Sequence, residues 1–305
     1  MKTSAIIRII LFSMGIILLL GVLGMGLGIT TFMVDHSETV WHTSMSSSAQ
    51  QTGTPADTIA ADPSMIQSIE IEWAAGNITI APSEEIDRIQ ICETDVAEKH
   101  RMTCTQSGST LTIRFSKKSS NIISFGTDTV SKDLTILVPA GWVCQSLELD
   151  VAAADVSIRD MTIGELDFDG ASGFCSLENC HVTGVDVDAA SGDLSFSGSL
   201  ENLDFDGASA DCQLMLTNCP RHIDLDGMSG ELDITLPSDC GFTVRAEGLS
   251  SSFSTDFKTT SHNGSHVHGD GSCLIELDAL SGKVTIHDGG YNCHEGGNDH
   301  HTGHH

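Results

Sequence analysis

The stretch Leu166-Asp167-Phe168-Asp169-Gly170-Ala171-Ser172-Gly173-Phe174-Cys175-Ser176-Leu177 alternates apolar and acidic residues, turns through four small ones and then alternates again. Its opening tetrad returns as Leu147-Glu148-Leu149-Asp150, Val185-Asp186-Val187-Asp188, Leu203-Asp204-Phe205-Asp206 and Ile223-Asp224-Leu225-Asp226, with outlying copies starting at Ile69 and Ile275. The five central copies start 19, 19, 18 and 20 residues apart. A short, nearly constant period marks structural units that stack on one another.

Within each copy the period of two predicts a strand with one buried face. The pairs Leu166/Phe168, Val185/Val187, Leu203/Phe205 and Ile223/Leu225 should point inward. A second apolar pair follows nine and eleven residues after each start, at Val156/Ile158, Cys175/Leu177, Leu194/Phe196, Cys212/Leu214 and Leu232/Ile234. Small residues such as Ala189-Ala190-Ser191-Gly192 lie between the two strands, where glycine permits positive φ and serine bonds the turn backbone. About 19 residues at roughly 3.3 Å each give a circuit of about 60 Å, which suits one coil of a parallel β-solenoid. The expected fold is therefore all-β, a β-helix of about 19-residue coils with right-handed winding. An antiparallel meander is the alternative, and it would lose the in-line stacking of equivalent positions.

The same reading divides the chain. The solenoid should occupy 64–288, with regular coils at 147–257. A less regular beginning runs from Ser64 to Pro139, and Phe242 opens a degenerate coil. A polar insert follows from about Thr259 to Gly271, and 273–288 closes the stack. Residues 1–8 are expected in the cytoplasm, and 9–29 as one transmembrane signal anchor. A flexible stalk covers 30–63 and a His-rich disordered tail 289–305. Ile9 to Ile29 carries no charge, and as a helix it would span roughly 32 Å. Lys2 and Arg8 precede it while Asp35 and Glu38 follow, so the positive-inside rule places the rest of the chain outside a cell membrane. A cleaved signal peptide is the competing reading, but the apolar run is long and no Ala-x-Ala site follows.

The repeat behind an N-terminal membrane helix resembles the bacterial putative-adhesin β-strand-repeat family, domain of unknown function 4097, over about residues 65–287. The resemblance implies an envelope-associated β-solenoid linked with adhesion or envelope stress, with no catalytic residues to carry over. The His-rich end and the ten cysteines depart from the usual pattern.

Composition narrows the partners. The 305-residue chain has 42 acidic against 14 basic side chains, a formal charge of −28. Such a field repels nucleic acid, anionic lipid and anionic wall polymers, so a charged partner should be cationic: a divalent ion, a basic protein or a cationic peptide. The bland reading is that the charge only keeps a stacked sheet soluble.

Stacking would turn the aspartates into ladders with rungs about 4.8 Å apart. Asp169, Asp188, Asp206 and Asp226 share one position with Asp150 and Asp278, and Glu148, Asp167, Asp186, Asp204 and Asp224 share another. Ca2+ bridging is the sharp reading of these ladders, solvated aspartates the plain one, and the Gly-Gly-x-Gly-x-Asp calcium motif is absent. Towards the end of the chain His262, His266, His268, His294, His300, His301, His304 and His305 offer ligands for Zn2+ or Ni2+, against a merely polar end.

Among the cysteines, Cys219 with Cys240 is the first candidate disulfide and Cys92 with Cys104 the second, while Cys175 and Cys212 read as small core residues. No nucleophile elbow, His-Glu-x-x-His helix or phosphate loop is present, and between Leu147 and Leu236 the only Arg or Lys residues are Arg159 and Arg221. The expectation is a non-catalytic, membrane-anchored scaffold or adhesin with a protein or cell-surface ligand. A stress-related or divalent-metal-binding protein is the alternative. Oligomeric state is left open.

Overall fold

The computed structural model describes residues 39–40, 58–94, 100–115, 131–247 and 250–290. Its strands in chain order are β1 (Thr39–Val40), β2 (Ile59–Ala61), β3 (Ser68–Ser83), β4 (Ile89–Glu93), β5 (Thr103–Ser107), β6 (Thr110–Arg114), β7 (Leu134–Pro139), β8 (Val143–Arg159) and β9 (Thr162–Leu216). They continue as β10 (His222–Leu236), β11 (Phe242–Glu247), β12 (Ser250–Thr255), β13 (Thr260–His262), β14 (Ser265–His268) and β15 (Cys273–Asp288). The described residues are thus all-β, and none of their helices is long and apolar enough to cross a membrane. The expected membrane segment, most of the stalk and the tail from residue 291 lie outside the described residues.

The repeat stacks in parallel. Leu147 pairs with Leu166, Leu203 with Ile223 and Ile223 with Ile275, and Ile69 pairs with Leu147 on the other side. β9 is one extended ribbon that carries three coils. Its coils are tied across 18 or 19 residues, as where Asn218 Nδ2 donates to the Leu200 carbonyl at 2.9 Å and Asn202 Nδ2 to that of Thr183 at 3.4 Å.

Four apolar columns result. Between β3 and β15 they run from Ile69, Ile71, Ile78 and Ile80 to Ile275, Leu277, Val284 and Ile286, with every member over that span at most 3% exposed. Burying each such side chain contributes roughly 1.5–3 kcal/mol. Large and smaller residues alternate along the second column, Phe168, Val187, Phe205 and Leu225, as interdigitating layers require. A further corner, at Asp160, Asn179 and Gly198, lies in positive-φ backbone at 55°, 54° and 134°. Asp, Asn and Gly are the residues that tolerate this, and at Gly198 a Cβ would lie 2.0 Å from the Cys180 carbonyl oxygen.

The order of the layers differs from chain order at both ends. At the C-terminal end β15 pairs with β10 on one side and with β11 and β12 on the other. The Ile275 copy therefore lies inside the stack and the Phe242 coil outside it, which corrects the expectation that 273–288 closes the solenoid. The physical reason is pattern: Ile275-Glu276-Leu277-Asp278 reproduces the β10 tetrad, whereas Val244-Arg245-Ala246-Glu247 does not. At the N-terminal end β3 is likewise internal, between β8 and an outer layer formed by β6 and β7.

Both ends then switch to antiparallel strands. β5 covers β6 and β4 covers β7, while β14 covers β11 and is itself paired with β13. Short antiparallel additions of this kind shield a growing parallel edge from other chains.

Cys219 and Cys240 form a disulfide with Cα atoms 5.3 Å apart, as their late positions in successive coils suggest. Cys92 and Cys104 are both free, which corrects the second expected pair: Cys92 lies on β4 against β7, Cys104 on β5 against β6. Cys175 and Cys212 are buried core thiols, and burial pushes Cys175 up to about 12. Lys132 is wholly buried two residues before β7, paired with Glu93, with its Nζ 4.6 Å from the centroid of Trp73 and 4.4 Å from that of Phe115.

Candidate functional site: an acidic strip along the stack

The face opposite the first two apolar columns is a double row of carboxylates. In one row the register sets Glu70, Glu148 and Asp167 side by side, and farther along Asp204, Asp224 and Glu276. In the other it sets Glu72, Asp150 and Asp169, then Asp206, Asp226 and Asp278. Asp186 and Asp188 fill the coil between, close enough to Asp167, Asp204 and Asp206 to act on their charge. Alternation along a strand puts the second and fourth residues of each tetrad on one face, so the repeat that builds the core also builds the strip.

Among the described residues, basic groups meet the strip near its ends. Arg114, outermost at the N-terminal end, is 2.9 Å from Glu72 and 4.0 Å from Glu70, and Thr112 Oγ1 donates to Glu70 at 2.9 Å. At the other end Arg245 Nη1 donates to Glu276 Oε1 at 3.0 Å, and His222 Nε2 lies 3.3 Å from Glu276 Oε2. Among the described residues no salt bridge reaches the strip from Glu148 through Asp206.

The middle carries the electrostatic consequence. Desolvation between neighbouring coils, and then repulsion from adjacent carboxylates, raises Glu148, Asp150, Asp169, Asp186, Asp188 and Asp224 above the usual carboxylate range. Asp206 rises to about 6 and Asp226 to about 7 for the same two reasons. A row of like charges held at rung spacing favours anything that brings positive charge to it.

The expected ligand residues separate into two groups. Asp169, Asp188, Asp206 and Asp226 do form one line along the stack. The described histidines among them do not gather: His266 stacks on Phe253 with centroids 4.6 Å apart, and His268 lies 4.7 Å from Phe257 and 5.3 Å from Phe242. His262 contacts Asn263 at 3.2 Å. His294, His300, His301, His304 and His305 lie outside the described residues.

What the sequence reading passed over is the grouping of His222, Asp224 and Glu276, the one trio among the described residues whose ligand atoms all lie within 4.8 Å of one another. It also passed over the end cations. Their signal was present, since Leu111-Thr112-Ile113-Arg114 and Val244-Arg245-Ala246-Glu247 place a base where the other copies place an acid.

Comparison with known proteins follows this geometry. A family profile described as Toastrack DUF4097 matches residues 66–287. A putative adhesin from Bacteroides fragilis is similar in structure at 15% identity, covering 79% of this chain and 100% of its own, with a TM-score of 0.47. A putative cell adhesion protein from Clostridium sporogenes is similar at 13% identity, covering 76% of this chain and 98% of its own, with a TM-score of 0.31. No curated protein matches the chain significantly.

Proposed function

This chain belongs to the Toastrack DUF4097 family, and from its acidic strip we propose that it is a non-catalytic scaffold that presents one rigid, negatively charged face to cationic partners at the cell envelope. The charge-free run Ile9 to Ile29, with Lys2 and Arg8 before it, supports reading that scaffold as held on a membrane anchor with the solenoid outside. Adhesion is the role that a long invariant face serves best, because many weak identical contacts sum without any moving part.

The observation that carries the reading is the unneutralised middle of the strip. Of the seven rungs, spaced about 4.8 Å apart, the four from Glu148 to Asp206 are reached by no salt bridge among the described residues, and desolvation and repulsion there act against the fold. A basic protein or peptide lying along the strip would relieve them, and its on-rate would fall steeply with salt.

The test uses the full chain and an oligolysine peptide as probe. Replacing Asp167, Asp186 and Asp204 with Asn should weaken oligolysine binding at least tenfold and flatten its salt dependence. Unchanged affinity in that variant, with the fold intact by circular dichroism, would remove the strip from the function.

A further inference from the structure

We propose that His222, Asp224 and Glu276 form a binding site for a single zinc ion. His222 and Asp224 are two residues apart on β10 and so leave the same face of the strand. Glu276 sits directly across from Asp224 on β15. The three ligand atoms lie within 4.8 Å of one another, and His222 Nε2 is 3.3 Å from Glu276 Oε2. A tetrahedral ion with bonds of about 2.1 Å has ligands roughly 3.4 Å apart, so this imidazole and carboxylate already stand one edge apart. Small side-chain rotations bring Asp224 to the third corner, and water takes the fourth because the trio is only partly buried.

Two features favour an ion over a plain surface contact. Glu276 divides its oxygens, with Oε1 bonded to Arg245 at 3.0 Å and Oε2 turned to the imidazole. Arg245 thereby holds the carboxylate in place as an outer partner does at metal centres. The ligand types also select the ion: one imidazole with two carboxylates suits zinc, whereas calcium takes six to eight oxygens. A bound dication would balance the two carboxylate charges at a point where Asp204 and Asp226 add more.

The site rests on its own geometry and not on the scaffold reading. It exists because β15 is inserted against β10, which brings together residues 54 positions apart.

The experiment is a zinc titration of the full chain carrying Ala in place of Cys293, His294, His300, His301, His304 and His305, so that the tail contributes neither thiolate nor imidazole. At about a hundredfold excess over Kd the melting temperature should rise by roughly 5–10 °C. Co2+ substituted for zinc should give the visible spectrum of a four-coordinate ion. His222→Ala should abolish both signals, and Arg245→Gln should weaken affinity by about 10-fold. Should His222→Ala fold poorly, the near-isosteric Asp224→Asn supplies the same readout. An equal rise in either variant, or none in the parent chain, overturns the site. Absence of zinc binding by the parent chain with its oligolysine binding intact would reject this site alone, and zinc binding without oligolysine binding would reject the strip alone.

Discussion

The central coils and the two ends of this stack are built by opposite rules. From Leu147 to Leu236 the layers follow chain order and the acidic positions are filled in every copy, and among the described residues no salt bridge reaches those from Glu148 through Asp206. At the ends the layers leave chain order and basic residues enter: Arg114 and the buried Lys132 on one side, Arg245 and His222 on the other. The difference teaches that repetition makes the shaft, while the exceptions to the repeat terminate it. A column of identical carboxylates has no internal reason to stop. It stops where an outer layer substitutes arginine for aspartate and antiparallel strands replace parallel ones.

The comparison can be broken most forcefully at the N-terminal end. Glu93→Gln leaves the wholly buried ammonium of Lys132 without its carboxylate, and removing one member of such a pair costs about 3–5 kcal/mol. Replacing both members, as Lys132→Met with Glu93→Leu, should recover most of that loss. Urea unfolding of the three proteins checks this, and a single variant as stable as the parent would show that the pair does not anchor the end.

A smaller effect sharpens the picture of the shaft. A carboxyl whose pKa is raised by folding binds its proton more tightly in the folded chain. Its contribution is therefore complete below the unfolded value near 4 and is lost as pH climbs through about 6 for Asp206 and about 7 for Asp226. The stack should thus weaken as pH rises from about 4 to about 7. Asp206→Asn and Asp226→Asn should each raise stability at the upper end by about 1 kcal/mol, a figure reduced for solvent screening of side chains that are only partly buried. Melting curves across the range decide it, and an undiminished pH slope in the double variant would relocate the effect.

The smallest change belongs to the exposed end cation. Arg114→Gln should cost about 0.5 kcal/mol at low salt and nothing measurable at high salt. A larger, salt-insensitive loss would mean that Arg114 packs the end rather than neutralising it.

Much of the shaft was legible in the sequence because two periodicities coincide there. Alternation names the inward face, and the spacing of 18 to 20 residues names the column, so Leu166, Val185 and Leu203 could be aligned before any coordinate was known. Cys219 and Cys240 followed from the same frame. The order of layers was not legible, because a tetrad such as Ile275-Glu276-Leu277-Asp278 fits beside any other copy and carries no address. The trio of His222, Asp224 and Glu276 was hidden for the same reason, since it depends on which copy lies next to β10. His266 and His268 illustrate a different limit: composition marked them as ligands, whereas the phenylalanines that engage them come from β11, β12 and the turn after it.

The inserted position of β15 has a consequence for how the molecule is made. At the N-terminal end each later layer can add to a border already standing free. At the C-terminal end β10 and the β11–β12 layer must wait on either side of a vacant berth until Cys273–Asp288 arrives and bonds both neighbours together. A chain delivered from its amino end therefore holds the place of β15 open through the synthesis of some fifty further residues, since β10 ends at 236 and β15 at 288. During that interval the same strand from a neighbouring molecule fits the cleft equally well, which makes crowding during synthesis the circumstance under which this fold would join two copies.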